Sequence, residues 1–177
     1  MPALHPLRPV LLAALLLLGA RVHAADYQLA DGQVRFQVPD AWPQIMMQVS
    51  GNPQFMAFEV PNAAPVGQRV LARVTVISEP FADAQAFKKW VDARVAQSHR
   101  LPGYQALAGG GVDSDAVRYK AVESGIGMHY SERYYYRAGY GVQLRCLRPA
   151  SSTVPASWVS QFDAGCRSIG ASLQQGG

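Results

Sequence analysis

Between residues 112 and 148 the chain alternates polar and apolar side chains in three segments, 112–123, 128–137 and 140–148. A period of two marks extended strands whose two faces meet different surroundings. The breaks fall at Gly125 and at Ala138-Gly139, where a chain can reverse within a few residues. Three long strands joined by tight reversals form an antiparallel meander, which favours an antiparallel sheet over a parallel βαβ fold.

The flanking sequence supplies more strands and two helices. Residues 34–38 alternate and stop at Pro39-Asp40, and residues 55–60 and 70–77 are β-rich runs with a loop over 61–67. Asp83 caps a helix whose apolar positions are Phe87, Trp90, Val91 and Val95, ending before Pro102-Gly103. Thr153 is the expected cap of a last helix with Pro155 in its first turn and Trp158, Phe162, Cys166 and Ile169 on one face. The order strands, helix, strands, helix predicts an α+β fold, an antiparallel β-sheet with packed helices. At 177 residues, 49% hydrophobic and 16% charged, the chain has one globular domain's worth of material.

Turn chemistry predicts the meander's register. A two-residue turn at Gly125-Ile126 sets Ala121 opposite Tyr130 and Arg118 opposite Arg133. A three-residue loop at Arg137-Ala138-Gly139 pairs Tyr136 with Tyr140, Tyr134 with Val142 and Tyr130 with Cys146. A two-residue loop there would put Arg133 and Arg137 beside Val142 and Leu144, so burial favours the longer one. The expected inner face carries Val117, Tyr119, Ala121, Tyr130, Tyr134, Tyr136, Tyr140, Val142, Leu144 and Cys146, under the C-terminal helix. Glu132 is its misfit.

Residues 1–24 read as an export signal. Arg8 precedes an unbroken apolar run over 10–18, and Val22-His23-Ala24 offers a cleavage site. The run is shorter than the roughly 20 apolar residues a bilayer span needs, and Arg21 ends it. Cleavage after Ala24 predicts a periplasmic or secreted chain over residues 25–177. That step takes Lys plus Arg from 16 to 14 against 12 acids, leaving +2. So slight a balance, with no basic stripe, predicts no nucleic-acid partner. Cys146 and Cys166 lie on the apolar sides of the last strand and the last helix, and in an exported chain they predict a disulfide. A redox pair would take the form Cys-x-x-Cys, and zinc would want four ligands.

No constellation for catalysis stands out, and no cofactor is expected. His99 and His129 have no partner at metal-ligand spacing, and neither an H-E-x-x-H nor a G-x-S-x-G motif occurs. Gly109-Gly110-Gly111 lacks the lysine and hydroxyl of a phosphate loop. Asp113 and Asp115 share one side of a strand start but fall short of the oxygens calcium needs. Glu132 has two readings, an acid with a raised pKa or an acceptor for tyrosine hydroxyls and an arginine. The outer face of the meander gathers Arg118, Lys120, His129, Arg133, Tyr135, Arg137 and Arg145. Like charges opposite one another are unfavourable. This is therefore either a solvated face whose arginines splay apart or meet acids from elsewhere in the fold, or a surface held for an anionic partner. In the second reading it is the candidate partner-binding face.

Phe36-x-Val38-Pro39-x-x-Trp42 is similar to the F-x-x-P-x-x-W opening of PsbP-like and DcrB-like proteins. The helix around Phe87 and Trp90, the meander and the helix after Pro149 also resemble that family's order of elements. The resemblance implies an α/β/α sandwich and a mostly non-catalytic role, as in envelope proteins, photosystem accessory subunits and secretion chaperones. It brings no active site to these positions, and the cysteine pair lies outside the family pattern. The expected function is a periplasmic, non-enzymatic binding or accessory protein engaging another envelope protein. Alternatives are an inhibitor or immunity protein acting on a toxin or hydrolase, and a hydrolase built on Glu132 or on Asp113 and Asp115.

Overall fold

The computed structural model describes residues 23–61, 72–108 and 115–175. Most of the export signal, the Gly109-Gly110-Gly111 tract, Asp113 and Ser114 lie outside these residues. Two strands, β1 (Ala24–Leu29) and β2 (Val34–Pro39), form an antiparallel ribbon around a short 3-10 turn at Ala30–Gly32. The main sheet contains β3 (Gln44–Gln48), β4 (Gln54–Glu59), β5 (Arg73–Pro80), β6 (Gln105–Ala106), β7 (Val117–Glu123), β8 (Ile126–Arg137) and β9 (Tyr140–Pro149). Its order is β3-β4-β5-β9-β8-β7-β6, antiparallel at every pairing. Helix α1 (Ala84–Ser98) follows β5, and α2 (Ala156–Gln175) follows β9. This is the α+β architecture that the order of elements predicts.

Local chemistry explains most element ends. The Asp83 carboxylate accepts from the Ala86 amide at 2.7 Å and caps α1 as expected. Thr153 does not cap α2. Its hydroxyl engages Ser151 at 2.7 Å, and the helix opens at Ala156 with the Pro155 carbonyl accepting from Val159. Pro39 ends β2 and turns the chain, its carbonyl accepting from the Trp42 amide at 2.9 Å. Phe36 and Trp42 are both buried.

The sheet is covered on both faces. On one, α2 and the β1–β2 ribbon press Phe36, Trp42, Phe162, Cys166, Ile169 and Leu173 onto Val74, Val76, Val142, Leu144 and Cys146. A side chain at Gly165 would strike the Trp42 ring, so glycine there lets α2 sit this close. On the opposite face Tyr119, Ala121, Met128, Tyr130 and Leu147 form a smaller cluster. There α1 stacks Phe87 on Tyr136 and sets Trp90 edge-on to Tyr134. The Cys146–Cys166 disulfide ties β9 to α2 with Cα atoms 6.4 Å apart.

The meander's register differs from both turn-based expectations. The first hairpin turns at Ser124-Gly125, pairing Glu123 with Ile126, Ala121 with Met128 and Arg118 with Ser131. The second is a two-residue turn at Ala138-Gly139, pairing Arg137 with Tyr140, Tyr135 with Val142, Arg133 with Leu144 and Ser131 with Cys146. Both central residues of each turn have positive φ: 51° and 82° in the first, 48° and 82° in the second. These angles are those of a type I′ turn, whose twist matches the strands it joins. The expected inner face therefore divides. Val117, Tyr119, Ala121, Tyr130, Tyr134 and Tyr136 share the α1 side with Glu132, while Val142, Leu144 and Cys146 face α2 beside Arg133 and Tyr135.

Candidate functional site

Glu132 has no exposed surface. Its strand pairing puts it between Val117 of β7 and Arg145 of β9. The Arg145 Nε donates to its Oε1 at 2.7 Å and the Tyr119 hydroxyl donates to the same oxygen at 2.8 Å. Oε2 accepts from the Tyr134 hydroxyl and, at 3.2 Å, from the Gln143 amide. Four donors from three strands thus converge on one carboxylate, which satisfies a charge that burial alone would make costly. Burial raises the Tyr119 and Tyr134 phenols, and the Glu132 charge raises them further. Burial works against the Arg145 charge, but Glu132 together with Tyr119 and Tyr134 outweighs it and holds the guanidinium pKa above its ordinary value.

This geometry corrects the placement of Arg145. Even positions of β9 face α2, so Arg145 projects to the α1 side with Glu132, away from the expected cationic face. A cavity of about 300 Å³ opens beside it, lined in part by Arg94, Glu123, Tyr130 and Arg145. Its charges are matched internally: Arg73 with Glu123, Arg94 with Glu79 and Arg145 with Glu132, at 2.7, 3.3 and 2.7 Å. Glu132 does not line it.

The opposite face is electrically different. Across β7, β8 and β9 one row reads Lys120, His129, Arg148, and the next reads Arg118, Ser131, Cys146. Arg167 of α2 joins Arg118, His129, Arg133 and Arg148 around a recess of about 20 Å³, room for roughly one water. The result is a cationic shelf and not a small-molecule pocket. Arg148 pairs with Asp163 at 3.2 Å and Arg133 with Asp115 at 3.6 Å. Among the described residues no acid pairs with Arg118 or Lys120. His129 registers the surplus: burial, then Arg148 and Lys120, push its pKa down to about 4.

Of the seven residues expected on the partner face, Arg118, Lys120 and His129 form the shelf. Arg133 is a correction, since it is 7% exposed and lies under α2 instead of facing solvent. Tyr135 also faces α2, its hydroxyl against Gly170. Arg137 ends β8 with a buried Nη1 that has no hydrogen-bond partner among the described residues. Arg148, Asp163 and Arg167 complete the shelf and were missed. Arg148 could have been found by carrying the Leu144, Cys146 alternation one step further. Among the described residues no group of three His, Cys, Asp or Glu side chains is placed to hold a metal. No helix among them is long and apolar enough to cross a membrane.

Neither the family models nor the curated proteins include a match to this sequence. Similar solved structures include PA94, a protein of unknown function from Pseudomonas aeruginosa. It is 12% identical with a TM-score of 0.47, over 82% of this chain and 92% of that one. Another is LpqN, involved in cell envelope biogenesis of Mycobacterium tuberculosis. It is 11% identical with a TM-score of 0.49, over 83% of this chain and 87% of that one.

Proposed function

We propose that this chain is an exported, non-enzymatic accessory protein of the cell envelope. In this reading it binds an acidic patch on another envelope protein through the shelf of Arg118, Lys120, His129 and Arg148. The observation that carries the proposal is that Arg118 and Lys120 lack acidic partners among the described residues, on a surface that already depresses the His129 pKa. A fold gains nothing by gathering cations it leaves uncompensated, whereas an anionic partner turns that potential into steering and affinity. The shallowness of the recess supports a macromolecular partner over a small ligand. A disulfide suits an oxidising compartment. The four donors saturating Glu132 support a structural tie at that position over a general acid.

The test is titration of the full chain with an Asp/Glu-rich peptide at low ionic strength, beside the Arg118→Glu/Lys120→Glu variant. The expected result is binding by the parent and none by the variant, with unchanged circular dichroism. Absence of binding, or binding that survives charge reversal, contradicts the reading. Vesicles of anionic lipid form a parallel arm. Binding to vesicles with none to the peptide would replace the protein partner with the membrane surface.

A further inference from the structure

The two edges of the main sheet differ. At one end β6 is only two residues long, too short to template another strand. At the other β3 runs for five residues, each of them exposed. Met46 and Met47 are 58% and 59% exposed, Val49 is 49% and Ile45 38%. Edge strands are ordinarily blunted by bulges, lysines or inward-pointing charges. β3 has one register irregularity, between Gln44 and Met46, and its remaining pairs with β4 are regular. Here no charged residue occurs between Asp40 and Glu59.

We propose that β3 is the docking edge for a second copy of this chain, adding strand to strand in antiparallel fashion about a two-fold axis. The strand reads Gln-Ile-Met-Met-Gln, nearly the same in both directions. A two-fold mate therefore sets apolar side chains against apolar ones at the centre and amides against amides at the ends. An amide both donates and accepts, so the Gln44 and Gln48 ends complement themselves. A charged partner strand would find no counter-charge along this edge, whereas a second copy desolvates none. The exposed thioethers add a polarizable, adaptable surface to the backbone hydrogen bonds of the new ladder. The contact is isologous, so assembly through β3 closes at two and joins two seven-stranded sheets into one.

Sedimentation equilibrium of the full chain across the micromolar range tests the proposal. The expected result is a reversible monomer–dimer equilibrium shifted fully to monomer by Met47→Lys, with circular dichroism unchanged and a melting temperature equal to the parent's at concentrations where the parent is monomeric. Met46→Lys, on the other face of the same strand, gives the same result if the edge itself is the interface. A chain monomeric throughout that range, or a dimer that persists in both variants, overturns it. A monomer that instead takes up an extended apolar peptide at β3 overturns it too, assigning the edge to a different partner.

Discussion

Glu132 shows how one residue is read correctly in chemistry and wrongly in place. Its sequence neighbours Tyr130 and Tyr134 predict a carboxylate that accepts from phenols or pairs with an arginine, and Tyr119, Tyr134 and Arg145 supply both contacts. Removing the carboxylate strands a half-buried guanidinium and two phenols. Glu132→Ala is therefore expected to destabilise the fold by about 3–5 kcal/mol, with Glu132→Gln recovering part of the loss. Urea unfolding of the two variants measures it. His129 is the second single-residue test. Its folded pKa of about 4 lies below the ordinary 6.5, so between those values the unfolded chain binds a proton the folded chain refuses. Stability is expected to fall as pH drops through that window, by on the order of 1 kcal/mol after solvent screening. Melting temperature against pH should show the slope in the parent and a flatter one in His129→Gln. Arg133 was not legible as a buried residue, because alternation separates two faces without saying that both are covered.

At the scale of elements, the sequence was informative wherever one local rule acted alone. Asp83 capped α1 as read, and the 34–38 alternation became β2 within one residue. The hairpin registers differ from expectation because glycine at the first turn position favoured Gly125-Ile126, and the cost of burying Arg133 and Arg137 argued against a two-residue loop in the second hairpin. The structure turns at Ser124-Gly125 and Ala138-Gly139, with serine and alanine at positive φ. Long cross-strand pairing in β8 and β9 offsets the local strain. Ala138→Asn places a residue that tolerates this conformation in the same turn and is expected to stabilise the fold by about 0.5–1 kcal/mol. An increase in melting temperature without a change in binding checks it. β1, β3 and β6 carry no clear alternation and were invisible to pattern reading. The disulfide was legible because it needs only that Cys146 and Cys166 face one layer, a condition both registers meet. Its closed loop of 20 residues makes Cys166→Ser cost about 3 kcal/mol, read from the denaturation midpoint.

For the whole molecule, the decisive property is that the sheet has two unlike faces, which carry their charges in different ways. On the α1 side the acids and bases are matched within the fold, whereas on the shelf beside α2 Arg148 has Asp163 but Arg118 and Lys120 have no acidic partner among the described residues. The sequence could count cations but could not assign them to faces, because Arg145 and Arg148 differ only in strand parity. Net charge does not report this either, since +2 over residues 25–177 averages the two faces. The most direct measurement is the dissociation constant for the acidic peptide as a function of sodium chloride concentration. The account predicts steep weakening as salt rises across the physiological range, and a smaller salt slope once Lys120 is neutralised. An affinity indifferent to salt would contradict it.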